Sequence, residues 1–445
     1  MERRFEVRKQ EMLADCEVDQ GLLREVLPQL VKFMAPFQRC LGKARGQHAE
    51  GYVQGLLSNV KRKNVESIAY QLDQDRRNLQ HFIGTAEWDH APLLDELCGQ
   101  VADNLGSPDG VLVIDPSGHP KQGKKSVGVA RQWCGRLGKV DNCQVGVYLA
   151  YASPRGHALC DFRLYLPKEW TNDRKRCRQA GVPRPVKHRT RHALALEMLL
   201  ARSATLPHSW VTADDEFGKV GHFRRDLHEH GERYLLAVPH NLTVRVLESD
   251  QLPRRGRGAP KPPPFVQLET LRNALPASAW TTIKVRSGEK GPLIVEAAMI
   301  PRVQAKGGRR YMDYAETAVF IRYVDASGTR HDDYYLSDAA TDVPLPTFAS
   351  VASSERRVEE CLRRAKSEGG MGDYEVRTWV GWHHHQTLSL LATWFLTLQT
   401  QRAEKKDAGH DRPSTAPDHR ATVGTRMEPH KTFLDHQQRE APLAA

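Results

Sequence analysis

Apolar residues recur at intervals of three and four between Cys16 and Leu105, as in Leu22, Leu23, Val26, Leu27, Leu30, Val31 and Met34. This spacing predicts a helical segment over residues 16–105. The turn Ser107-Pro108-Asp109 breaks it, and Gly110-Val-Leu-Val-Ile114 then reads as a buried strand ending at Asp115. Residues 145–151 and 160–166 are apolar runs joined by Ser153-Pro154-Arg155-Gly156, which predicts a hairpin. Residues 190–203 suit a helix, and Ser209-Trp-Val-Thr-Ala213 suits a short strand that runs into Asp214. A helix over 222–230 and a strand over 234–238 follow.

The pattern then changes. Residues 253–264 are basic and rich in proline, as an exposed loop would be, while 292–300, 317–324 and 333–336 read as strands. Helical spacing returns over 355–366, where Val358, Cys361, Leu362 and Ala365 are the apolar points of a charged segment, and over the more apolar 388–398. Beyond about 402 apolar periodicity is lost, which predicts a disordered tail. The expected organisation is therefore an extension over 1–15, a helical domain over 16–105 and an α/β core over 106–240. A β-rich insertion over 241–348, the core's closing helices over 349–401 and a tail over 402–445 complete it.

Composition adds a partner class. The 445 residues carry 65 Lys and Arg against 54 Asp and Glu, a formal charge of +11, which favours a polyanion through phosphate neutralisation. The eight cysteines are scattered and never two to four residues apart, so they read as reduced and structural instead of as zinc ligands. No apolar run approaches the roughly 20 residues of a membrane span, and the charged start lacks a signal peptide's apolar stretch; a cytoplasmic protein is expected.

The candidate chemistry lies in three acids. Two-metal phosphodiester cleavage needs carboxylates that converge on two Mg²⁺ ions about 3.5 to 4 Å apart. Asp115 and Asp214 at strand ends and Glu359 on a helix suit that arrangement, with the insertion lying between the second and third acids. Singly, each has an ordinary reading as a turn residue, a helix cap or a solvated charge. The doublets Asp214-Asp215 and Glu359-Glu360 leave a one-residue alternative at two of the positions.

Lys121, Lys124, Lys125 and Arg131 follow Asp115 closely enough to hold phosphates as positioning contacts, or to form a solvated basic loop. Trp280 is either core packing or a face on which a base stacks. The run His383-His-His385 does not suit one zinc ion, because adjacent helical residues point about 100° apart. No Gly-x-Ser-x-Gly elbow frames a serine nucleophile.

Three stretches are more specific: Val113-Ile-Asp-Pro-Ser-Gly-His-Pro-Lys-Gln-Gly-Lys124, Trp210-Val-Thr-Ala-Asp-Asp-Glu-Phe-Gly218 and Val358-Glu-Glu-Cys-Leu-Arg-Arg-Ala-Lys366. Weaker echoes are Arg131–Val145 and Asp373–Trp382. Through these the chain, from about 28 to 400, resembles the insertion-sequence DDE transposases. These have an RNase H-like mixed-sheet core and, in the cut-and-paste branch, a β insertion before the last acid.

The resemblance implies Asp115, Asp214 and Glu359 as the metal-binding triad, with Mg²⁺ or Mn²⁺ as cofactor. It implies Lys366, two helical turns after Glu359, as a residue that reaches a phosphate near the metals. It also implies terminal inverted repeats and target DNA as partners, a homodimer bridging two DNA ends, and the helical segment as reader of the repeat. One position departs from the pattern: Glu355 stands where the family usually has Arg, and Arg356 or Arg357 is the expected substitute. The expected activity is DNA cleavage followed by strand transfer; the alternatives are an RNase H-like nuclease without transfer and a DNA-binding protein with a decayed site.

Overall fold

Among the described residues five helices come first: α1 (Gln20–Leu41), α2 (Lys43–Leu56), α3 (Val65–Gln71), α4 (Arg76–Gly84) and α5 (Ala91–Leu105). The computed structural model describes residues 20–249, 252–253, 261–286, 293–307, 310–324 and 329–410. Asn64 and Asp75 start α3 and α4 by accepting the backbone N–H of Ser67 and Asn78, each at 2.9 Å, so orphan donors of the first turn are satisfied.

These helices have no core of their own. Met34, Phe37, Tyr52, Leu79 and Leu97 belong to one apolar cluster with the central sheet and the last helices, α12 (Leu345–Ser367) and α13 (Trp379–His410). Trp88 stacks on His384 with ring centroids 3.6 Å apart, and the Tyr52 hydroxyl lies 2.9 Å from His385 Nδ1. The described residues up to Gln399 accordingly form one compact unit.

The central sheet is built on β1 (Val111–Pro120), β2 (Ala130–Cys134), β3 (Lys139–Ser153), β4 (Gly156–Leu164) and, after α6 (Lys168–Thr171), α7 (Arg174–Gln179) and α8 (Arg191–Arg202), on β5 (Trp210–Ala213). β3 lies antiparallel between β1 on one side and β2 and β4 on the other, whereas β5 joins β1 in parallel. α9 (Asp215–Gly218) and α10 (Gly221–Glu229) lead to β6 (Leu235–Ala237), which approaches β5 through a parallel bridge between Val211 and Tyr234. Three antiparallel strands followed by parallel additions, with helices between, are the RNase H-like α/β core.

The second sheet grows from β6. β6 pairs with β13 (Arg330–Ser337), and the order continues through β12 (Glu316–Val324), β10 (Leu293–Gly307), β7 (Thr243–Val246) and β8 (Val266–Gln267). β9 (Thr281–Arg286) and β11 (Arg310–Tyr311) also pair with β10, and α11 (Leu268–Asn273) follows β8. This sheet carries a second small core around Val244, Leu268, Ala298, Phe320 and Leu336.

Several sequence expectations are corrected. Asp115 does not end its strand: β1 continues to Pro120 because β3 supplies partners as far as Cys143, so Asp115 sits opposite Tyr148 inside the ladder. The helix expected over 355–366 begins at Leu345, and α13 runs to His410 where a disordered tail was expected from 402. Residues 411–445 and 1–15 lie outside the described residues, as do 254–260 of the Pro-rich loop; Lys261 to Pro264 are exposed without regular structure. No described helix is long and apolar enough to cross a membrane.

Candidate active site

The β1–β5 register brings two acids together. Ile114 is the partner of Ala213, and each is followed by an aspartate, Asp115 and Asp214. Val111 to Ile114 and Trp210 to Ala213, apolar but for Thr212, are all buried and hold this edge. Asp214 also caps α9, its Oδ1 accepting the Glu216 N–H at 3.1 Å, which fixes the carboxylate at the point where the strand gives way to the helix.

α12 contributes the third side of the site. Its buried face, including Phe348, Val351, Ala352, Val358 and Leu362, packs on the core, with Phe348 edge-on to Trp210 at 5.7 Å. Glu355 and Glu359 are four residues apart and Lys366 seven further, so all three share one helical face. One cleft is walled by Asp214, Asp215, Asp333, Glu355, Arg356 and Glu359.

Charge crowding is visible in the titration of these groups. Burial pushes Asp115 up to about 7, Asp214 and Glu359 add to the rise, and Lys366 opposes it. Asp214 is likewise pushed up to about 7, by burial and then by Glu216 and Asp215. Glu355 is raised well above the usual range by burial and by Asp214, Asp115, Glu359 and Asp333. Partial burial raises Glu359 against the pull of Arg356, and burial lowers Lys366 against the pull of Asp115. Neither Asp215 nor Glu360 is among the charges that act on Asp115, and Glu360 is exposed beside Arg363 at 3.8 Å.

Among the described residues no three His, Cys, Asp or Glu side chains are grouped closely enough to hold one ion together. The donor set is nevertheless all carboxylate oxygen. Mg²⁺ keeps several waters and uses one or two carboxylates plus substrate phosphates, so a looser group of acids fits it better than an all-protein cage would.

The predicted basic contacts divide. Lys124, Lys125 and Arg131 are exposed near Asp115 in the chain. Lys121 is committed elsewhere: its Nζ donates to the Tyr374 carbonyl at 2.8 Å and lies 3.3 Å from the centre of that ring, with its pKa lowered to about 8 by burial. It therefore ties the segment after β1 to the loop before α13. Arg356 lies 3.5 Å over the Tyr323 ring and 3.8 Å from Asp333, and Arg357 is half-buried. Trp280 packs against the insertion core with the Arg322 guanidinium 4.0 Å over its ring, so that face is already occupied.

Glu355 is the residue that sequence reasoning treated only as a departure; the signal was its place one turn before Glu359. The histidine run is structural. His383 meets the Trp379 carbonyl at 2.8 Å, His384 meets the carbonyls of Ile83 and Trp88, and His385 meets Tyr52 and the Gly370 carbonyl. Burial holds His384 down to about 4 and His385 to about 3, which keeps both neutral.

Comparison with known proteins gives the family of this arrangement. A model of the DDE superfamily endonucleases matches residues 36–292, a span that contains Asp115 and Asp214. The chain is 31% identical over 198 residues to a probable transposase for insertion sequence element IS701 of Microchaete diplosiphon, covering 43% of this chain and 49% of that one. It thus spans about half the length of this curated relative. Among solved structures, the cryo-EM structure of the piggyBac transposase synaptic complex with hairpin DNA matches with a TM-score of 0.39 and 10% identity, over 90% of this chain and 76% of that one.

Proposed function

This chain belongs to the DDE superfamily of endonucleases, and we propose that it is a DNA transposase that cuts transposon ends and joins them to target DNA. The observation that carries this reading is the register that sets Asp115 beside Asp214, which itself lines a cleft with Glu355 and Glu359. Similarity to a probable insertion-sequence transposase supports the same activity.

Asp115, Asp214 and Glu359 would hold Mg²⁺, or Mn²⁺ in its place. Such a cation supplies a nucleophilic water of lowered pKa and charge stabilisation for the leaving oxygen. The chain's own contribution is placement. Asp115 is fixed by the β1 ladder, Asp214 by its helix cap, and Glu359 by the packing of α12. Lys366, close enough to Asp115 to oppose its pKa rise, supplies a positive charge for the scissile phosphate. Lys124, Lys125 and Arg131 hold flanking phosphates without reading sequence.

Terminal inverted repeats are the cognate DNA, the helices preceding β1 their reader, and a homodimer on DNA the working form. The site of action is the bacterial cytoplasm, on the nucleoid. The test is incubation of the full chain with Mg²⁺ and DNA bearing the element's ends. Cleavage followed by end joining is expected; cleavage without joining would leave an RNase H-like nuclease, and binding without cleavage a decayed site.

A further inference from the structure

Eight large apolar side chains stand exposed among the described residues, and three of them, Trp133, Leu137 and Val140, fall within one eight-residue stretch. That stretch is the hairpin of β2 and β3. Trp133 is the direct cross-strand partner of Val140, so the two share a face, with exposures of 58% and 50%. Strand alternation places Arg131 on that face as well, two residues before Trp133. Leu137, 41% exposed, and the exposed Arg136 form the tip, which Gly138 closes at φ 60°.

The hairpin stands next to the acids. Cys134, the neighbour of Trp133, is buried and so close to Gly118 that a Cβ there would lie 3.1 Å from its Sγ. Gly118 is three residues along β1 from Asp115, roughly 10 Å of strand. A Cβ at Gly372 would lie 3.7 Å from an Arg136 guanidinium nitrogen and 3.8 Å from Nδ1 of His119 on β1, so the tip of the hairpin also borders β1. A duplex laid across the cleft reaches this hairpin within one helical turn, about 34 Å.

We propose that the β2–β3 hairpin is a DNA wedge: Trp133 stacks on a base at an unpaired or distorted step while Arg131 and Arg136 hold the neighbouring phosphates. This rests on the DNA-acting function proposed above. Charge favours nucleic acid as the occupant, since the hairpin carries Arg131, Arg136 and Lys139 against one acid of its own, Asp141, which is paired with Lys139 at 3.2 Å, and the acid beside Arg136 is Asp373 of the loop before α13. Three apolar side chains also fall far short of the roughly 800 Å² that each partner of a stable protein interface buries. An aromatic face flanked by arginines accepts any base, and this ring, unlike that of Trp280, is uncovered.

The test uses the full chain and two labelled DNAs, a duplex and the same duplex with an unpaired step, titrated by fluorescence anisotropy. The wild type should prefer the unpaired step by roughly tenfold. Trp133→Ala should lose the preference, and Trp133→Phe should keep most of it. Arg136→Ala should weaken both DNAs alike and lower the salt dependence of binding. Tryptophan emission should be quenched by the opened duplex in the wild type and less so in Trp133→Phe. Retention of the preference in Trp133→Ala overturns the wedge, and so does a switch from dimer to monomer in that variant with DNA preference unchanged. If the wild type cuts its ends while Trp133→Ala discriminates normally, only the wedge fails. If the wild type binds neither DNA, the transposase reading fails with it.

Discussion

Asp115 and Asp214 lie side by side because the residues before them, Ile114 and Ala213, are partners in the parallel register of β1 and β5. Sequence separates the two acids by 99 positions, and the fold removes that separation with one strand pair. Asp115→Asn and Asp214→Asn should each lower cleavage by roughly a thousandfold or more while leaving DNA binding intact, since the charge lost sits in the site and not on the exposed basic surface. Asp215→Asn, one residue on from Asp214 and the first residue of α9, should stay within about tenfold of the wild type. Gel assays of cleavage and binding decide it. Cleavage by the Asp115→Asn variant would remove that residue from the site.

The crowded carboxyls make stability of the metal-free chain depend on pH. Asp115 and Asp214 titrate near 7 in the folded chain, against an ordinary value of 3.8. Between those values the native state holds more protons than the unfolded chain, so stability is greatest on the acid side and falls as pH rises through the window. The melting temperature without divalent cation should therefore be lower at pH 8 than at pH 5.5. Mg²⁺ should restore it at pH 8 and release protons on binding, which calorimetry in buffers of different ionisation heat detects. A melting temperature that climbs from pH 5.5 to 8 without metal would contradict the crowding.

Glu355 offers a sharper form of the same argument. It shares the cleft with Asp214 and Glu359, and its carboxyl is raised by burial and by four other acids. Glu355→Gln keeps the shape and removes one charge. The metal-free variant should melt higher than the wild type at pH 8, by a few degrees, and its stability should change less between pH 5.5 and 8. A lower melting point at pH 8 would mean that Glu355 is ionised and usefully paired there.

Local patterns foretold much of this architecture and none of its long-range pairings. Buried runs such as Val111 to Ile114 and the turn at Pro154 announce themselves by composition. Thr190 foretells α8 by accepting the Ala193 N–H at 3.2 Å. β2 escaped notice because Arg131-Gln-Trp133 is polar on its own and becomes a strand only when Asn142, Asp141 and Val140 of β3 lie opposite. Asp115 read as a strand end because the apolar run stops at Ile114, yet the strand goes on and holds Pro116 in the ladder opposite Val147. The helices of the N-terminal segment looked autonomous because nothing in their spacing shows that Trp88 and Tyr52 meet His384 and His385 almost 300 residues or more away. The candidate acids were picked out by their motifs, whereas the approach of Glu355 to Asp214 depends on how α12 lies across the sheet.

A fully buried ion pair joins the core to the second sheet beside the β6–β13 ladder. Arg224 of α10 donates to Glu316 of β12 at 2.8 Å, and both side chains are completely inaccessible. The Tyr234 hydroxyl donates to the same carboxylate oxygen at 2.6 Å, and Arg224 also donates to the Gly218 carbonyl in the helix capped by Asp214. Breaking such a pair from one side strands a buried charge, at a cost of about 3–5 kcal/mol, whereas replacing both members by apolar groups of similar volume is far milder. Glu316→Met and Arg224→Met alone should each be strongly destabilising in urea unfolding, and the two together should cost less than the sum of the singles. Because Gly218 follows Asp214 by four residues, the single variants should also weaken cleavage while the chain is still folded. Additive losses in the double variant would show that the two charges do not depend on one another, and the junction would then be held by the β6–β13 ladder and apolar packing without them.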